Sequence, residues 1–226
     1  GAHLVWCHGP VDAVKEIVWG QRSAWTGNVT SNQNIFVDKT GLFGGDNQEG
    51  GIQGRIGIAF GDDNQMPDPY LVAKLGAPQP AYRKVLSLIL KQLYVSANNP
   101  YLKPPWLRVN RCYDDWYSAK ARINGIANPA HIIYEALTNP VWGMGYSSST
   151  INDANFRTAA DTLYVEGFGL SIVWAKEDTI EAFVKIVLGH ISGGLTINPS
   201  TNQFELRLVR EDYTLSACPL FNEDNI

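Results

Sequence analysis

Two Asn-Pro steps, Asn128-Pro129 and Asn139-Pro140, bracket the segment PAHIIYEALT. Proline is tolerated in the first turn of a helix, where its missing N–H has no carbonyl to meet, and it is excluded further in. Asparagine before that turn caps it through its side-chain oxygen. The spacing therefore predicts a helix capped by Asn128, started at Pro129 and stopped at Asn139-Pro140, with Ile132, Ile133, Ala136 and Leu137 on one buried face. Trp142 is expected to anchor the exit, with Gly143 and Gly145 allowing a close turn. His131 and Glu135 fall four residues apart on this helix, one face sharing an imidazole and a carboxylate. The base case for such a pair is structural, and a role in the fold or in assembly is expected.

The rest of the second half follows similar grammar. A helix is predicted from Asn152 or Asp153 to Glu166, with Phe156, Ala159, Ala160, Leu163 and Tyr164 inward and Gly167 as its stop. FGLSIVW (168–174) reads as a short buried strand. A further helix over Thr179 to Gly189 carries Phe183, Ile186 and Val187 inward, and GLTINPSTNQFELRLV (194–209) reads as a hairpin turning at Pro199 to Asn202.

The first half is predicted to be β-structure. VDAVKEIVWGQRSAW (11–25) reads as a hairpin about Gly20-Gln21, with further strands in QNIFV (33–37) and GIQGRIGIAF (51–60). GLFGGDNQEGG (41–51) has the composition of an exposed loop. KVLSLILKQLYV (84–95) fits both helical and strand spacing; the flanking prolines and the NNPYLKPP turn cluster favour a strand, with WLRVNRCY (106–113) as its partner. Helices feeding small sheets without regular βαβ alternation predict an α+β chain: a β-rich domain over 1–122 and a small α+β domain over 123–226 (helix, helix, strand, helix, hairpin).

Chemistry is sparse in this pattern. The net charge is −4 with no cluster of Lys and Arg, so specific nucleic-acid binding is not expected. No apolar run approaches the roughly 18 residues of a transmembrane helix, and Gly1-Ala2-His3 leads into a polar, strand-like segment unlike a signal peptide. Cys7, Cys112 and Cys218 are odd in number and far apart, which predicts reduced, mostly buried thiols. His3, His8, His131 and His190 share no metal-ligand spacing, and no nucleophile elbow or phosphate loop occurs. No catalytic, cofactor-binding or metal-ligating residue is assigned, and no cofactor is expected. The carboxylate pairs Asp62-Asp63, Asp114-Asp115 and Glu177-Asp178 are the most serious catalytic alternative, as in glycosidic cleavage, but loop or cap roles are commoner for them. Tyr101, Trp106, Tyr113, Trp116 and Tyr117 could form a sugar-stacking face; a β-core role is the commoner one.

Six stretches, in one order from about Val11 to Ile226, carry a resemblance: KEIVWGQRSAWTGNVTSNQNIFVDKTGLFGG, EGGIQG, NPYLKPPWLRVNR, NPAHIIYEALTNPVWGMGY, FRTAADTLYVEGFGLSIVW and LRLVREDY. The chain resembles the tail tip attachment proteins of lambda-like bacteriophages and prophages, the J-type central tail hub or host-specificity family. The resemblance implies a barrel-like, β-rich hub domain similar to those of contractile-tail baseplates, in a homotrimer closing the distal tail. It implies contacts with the tail tube, the tape-measure protein and other tip proteins. Receptor binding in that family belongs to C-terminal regions, and its members are much longer. An internal hub fragment is therefore expected, located in the virion tail tip and in the host cytoplasm during assembly. The alternatives are a peptidoglycan-degrading tail enzyme and a receptor- or carbohydrate-binding module.

Overall fold

The computed structural model of the protein describes residues 1–95, 101, 103–211, 213, 214, 216 and 218. The chain divides into two compact units, Gly1–Cys112 and Tyr113–Ile226, each with its own apolar core. Strands and helices are both present, and among the described residues the named strands pair antiparallel, an α+β chain.

The first unit contains β1 (Ala2–His8), β2 (Ala13–Trp19), β3 (Arg22–Val29), β4 (Gln33–Lys39), β5 (Ile52–Ala59), α1 (Pro69–Leu75), β6 (Val85–Val95) and β7 (Pro105–Asn110). They form two open sheets, ordered β1-β6-β5-β4 and β3-β2-β7. The predicted β2–β3 hairpin is present. Its turn needs two residues at positive φ, Gly20 at 53° and Gln21 at 72°, the backbone twist that suits a two-residue hairpin. Both sheets feed one core, in which Ile17, Trp19, Ile52, Ile56, Leu86 and Leu88 are fully buried.

β7 does not pair with β6. It lies against β2, with Leu107 opposite Ile17. The reason is occupancy: β1 and β5 already take both edges of β6. The ambiguity of residues 84–95 also has a physical cause. Leu86, Leu88 and Leu90 face the shared core, while Ser87 and Ile89 are buried on the opposite side, so the strand reads as a continuous apolar run. Leu71 of α1 and Ile89 line the same small cavity on that side, about 20 Å³ in volume. α1, over residues for which no element is expected above, starts by the Asn128-Pro129 rule. Asp68 accepts from the N–H groups of Tyr70 (2.9 Å) and Leu71 (3.4 Å), and Pro69 opens the helix. The glycine-rich loop 41–51 is less exposed than its composition suggests, because Phe43 inserts into the core. Of the three free thiols only Cys112 is buried; Cys7, on the sheet-edge strand β1, and Cys218 are exposed.

The second unit contains β8 (Arg122–Ile123), β9 (Ile126–Ala127), α2 (Pro129–Thr138), α3 (Asp153–Val165), α4 (Ile180–Ile191), β10 (Gly193–Asn198) and β11 (Gln203–Leu208). The three helices and the closing hairpin lie where the sequence places them. The unit begins earlier than residue 123, since Trp116 is already part of its core and Tyr113 and Tyr117 pack against it. After α2 the chain turns back on itself. Gly143 N–H bonds the Asn139 carbonyl at 3.1 Å, Met144 N–H that of Ala136 at 2.9 Å, and Tyr146 N–H that of Leu137 at 2.9 Å. A Cβ on Gly143 would stand 2.6 Å from the Ala136 carbonyl oxygen, so only glycine allows this return.

FGLSIVW forms no strand. Leu170 makes a single bridge to Ala127, because β9 offers only two residues to pair with; Leu170, Ile172 and Trp174 still pack on the core, while Val173 is exposed. Tyr164 and Ile186, expected inward, are partly exposed, and the Lys120 ammonium sits 3.9 Å from the centre of the Tyr164 ring. Among the described residues no helix is long and apolar enough to cross a membrane.

The first unit separates two tryptophans sharply, with Trp19 fully buried on β2 and Trp106 62% exposed on β7. Trp19→Ala is expected to destabilise the first unit by about 3–5 kcal/mol through the cavity it leaves. Trp106→Ala is expected to cost less than about 1 kcal/mol, as an exposed substitution. Urea unfolding followed through the amide resonances of β2 and β5 distinguishes the two.

Candidate functional site: the histidine and aromatic cluster of the second unit

The segment that suggested chemistry, α2, enters the unit through Asn128. This side chain is fully buried and fully used. Its oxygen caps Ala130 N–H at 3.0 Å, and its amide donates to the carbonyls of Lys120 and Ala160, each at 3.0 Å. The cap therefore also joins α2 to the 118–120 turn and to α3.

One turn later His131 is fully buried among rings. Trp116 lies 4.6 Å away, and Tyr117 is stacked at 6.4 Å with 11° between planes. Trp116 in turn stacks on Tyr134 at 4.3 Å and 7°. Arg157 covers the cluster, 4.4 Å from the Tyr117 ring centre and 5.8 Å from that of Trp116. Asp153 in the first turn of α3 holds both sides: it accepts from the Trp116 indole at 2.7 Å and from Arg157 at 2.6 Å. Those two partners, the indole N–H first, hold its carboxyl below the usual range. The Tyr117 hydroxyl donates to Asp161 at 2.8 Å, which pushes the phenol up. Tyr117 itself sits in the left-handed region at φ 44°, ψ 51°, an unfavourable conformation for a tyrosine that this packing fixes.

The His131 Nε2 atom lies 3.1 Å from the Tyr117 carbonyl, which can only accept, so that nitrogen carries the proton. Nδ1 is buried with no hydrogen-bond partner. Protonating it would create an orphaned N–H inside an aromatic cluster, and burial accordingly lowers the pKa, against the raising effect of the Tyr117 and Trp116 carbonyls. Glu135 is also buried, and accepts from the Asn139 amide at 3.2 Å. An imidazole with no exposed surface has no route to a proton on an external substrate as placed. The geometry suits packing and orientation of the 113–121 segment.

The other carboxylate candidates lie in polar settings. Asp63 pairs with Lys84, Asp114 with Arg122 at 2.8 Å, and Asp178 accepts from Thr179 N–H at 2.8 Å beside the start of α4. Asp115 borders a surface pocket. Of the aromatic candidates, Trp116 is core, Tyr113 and Tyr117 are half-buried, and Tyr101 and Trp106 in the first unit are exposed. No group of three or more His, Cys, Asp or Glu able to hold a metal occurs among the described residues. The packing of Trp116 against Tyr134 and His131 was not foreseen; the i, i+4 spacing of Asp153 and Arg157 is a sequence signal that bears on it.

Because the unfolded histidine takes up a proton near its ordinary 6.5 and the folded one only at lower pH, His131 contributes stability that is complete above about pH 6.5 and lost below it. The second unit is expected to lose stability as pH falls below about 6.5, with a slope of up to about 1.4 kcal/mol per pH unit. His131→Gln, which keeps a donor for the Tyr117 carbonyl, is expected to flatten that slope. Urea midpoints read from α2 amide resonances check it. The lowered carboxyls of Asp153 and Glu166 act in a separate window, below their ordinary 3.8 and 4.5.

No family model matches this chain, and no curated protein matches it.

Proposed function

We propose that the chain is a structural piece of a bacteriophage or prophage tail tip, a hub fragment serving tail assembly, attachment and genome delivery without catalysis. The source of the reading is the resemblance of six ordered stretches to the J-type family. The structural observation that supports it is the character of the sheet edges. In the first unit β1, β4 and β7 each lie at the edge of an open sheet, and each carries a large exposed apolar side chain: Val5 at 54%, Phe36 at 58% and Trp106 at 62%. Such edges invite pairing and are normally covered or charged in a free monomer. A closed cyclic assembly covers them. In this reading the first unit, with its two open sheets, is the β-rich hub domain, and neighbouring copies cover its edges.

The partners in this reading are two further copies, the tail tube, the tape-measure protein and other tip proteins. Receptor contact passes through regions outside this chain. The locations are the virion tail tip and, during assembly, the host cytoplasm.

An image reconstruction of an intact tail tip is expected to place this chain on the axis with threefold symmetry; density in a receptor fibre or a lytic arm overturns the reading. The purified chain is also expected to leave peptidoglycan intact. Lysis that disappears on alanine substitution of Asp62, Asp114 or Asp115 would transfer the assignment to a tail-associated enzyme.

A further inference from the structure

The surface of the second unit carries a pocket of about 350 Å³ that the hub reading leaves without a role. That volume lies at the lower end of small-ligand sites and suits a group the size of one side chain. Its walls include Tyr113, Tyr134 and Tyr146, with Asp115, Thr138 and Asn139 between them, and among the described residues no Lys, Arg or His lines it.

Three features give the pocket a negative character. Asp115 is exposed at its border and Glu135 is buried behind Asn139, whose amide it holds at 3.2 Å. After burial itself, the charges of Asp115 and Glu135 are among the influences that push the Tyr113 phenol up, so both fields reach the pocket wall. The last turn of α2, which supplies Tyr134, Thr138 and the capping Asn139, carries no basic residue, so no side-chain cation competes at the negative end of the helix dipole. Aromatic faces add to this, since their quadrupoles attract cations.

The walls are also held in place. Tyr134 is clamped by the 4.3 Å stack on Trp116, Tyr113 lies 6.3 Å from Tyr134 with 21° between planes, and Tyr146 is braced by Phe204 at 5.1 Å. Ordered aromatic walls reduce the entropy lost on binding.

We propose that this pocket binds an organic cation, the ammonium or guanidinium group of a basic side chain or a small amine, with its charged head toward Asp115 and the end of α2 and its alkyl stem along the tyrosines. The site stands on the second unit alone and does not depend on the hub reading.

The test titrates the intact chain with N-acetyl-arginine methylamide, with putrescine, and with N-acetyl-citrulline methylamide, the neutral isostere of the first, while following the ring resonances of Tyr113, Tyr134 and Tyr146. The arginine compound is expected to bind with a Kd on the order of millimolar. Affinity is expected to weaken roughly three- to tenfold in Asp115→Asn, as for a partly exposed ion pair, and to weaken with added salt. The citrulline compound is expected to bind more weakly by a similar factor. Binding of the arginine compound without putrescine assigns the site to a protein side chain, and binding of both assigns it to amines generally. Equal affinity for the neutral isostere, unchanged affinity in Asp115→Asn, or no ring shifts with either cation up to about 50 mM overturns the proposal. The isostere comparison uses the unaltered chain, so it holds whatever Asp115→Asn does to folding.

Discussion

The second unit is organised around one buried amide. Asn128 has no exposed surface, and its side chain satisfies a helix N-terminus and two carbonyls from other segments at once. Removing it would strand buried polar groups on three sides, which is far more damaging than losing a helix cap at the surface. Because the amide fixes where α2 starts, it also fixes which residues of α2 face Trp116. The His131 and Tyr134 rings, one and nearly two turns along, are placed by that choice. The stack on Trp116, the Asp153–Arg157 clamp and the left-handed Tyr117 follow from the same anchoring.

The two units solve the same burial problem by different means. The first stacks two open antiparallel sheets over a core of β-branched residues, leucines and Trp19. The second packs three helices around alanines and aromatics, with two small hairpins closing the ends. In the first unit Val5, Phe36 and Trp106 are exposed on edge strands, Leu75 on α1, Tyr94 on β6, and Met66, Tyr82 and Tyr101 in connections. In the second, Val165, Phe168 and Val173 are exposed at helix ends and connections, Ile186 on α4 and Ile197 on β10.

Much of this was legible because local grammar was strong. Asn128-Pro129, the Gly167 stop, the Gly20-Gln21 turn and the 199–202 turn each specify a backbone conformation that few residues allow. What failed needed long-range information. The partner of β7 depends on which strand edges are already occupied, and no local pattern reports that. FGLSIVW has a strand's alternation but meets a two-residue neighbour, so it packs without pairing. α1 was legible in principle, since Asp68-Pro69 repeats the cap grammar of α2, but its acidic approach resembles a plain loop. The His131 and Glu135 spacing was visible in sequence, whereas their full burial was set by residues 113–121, which the sequence reading assigned to the preceding domain. The surface pocket could not be anticipated, because its walls come from three separate segments.

The central position of β6 has a consequence for sequence variation. An ordinary sheet strand has one face on which polar replacements drift freely. Between Leu86 and Leu90 this strand has none, since both faces are covered. A one-residue insertion or deletion there would exchange the two faces and bring Ser87 into an apolar core. This stretch can therefore change only by swaps that conserve volume.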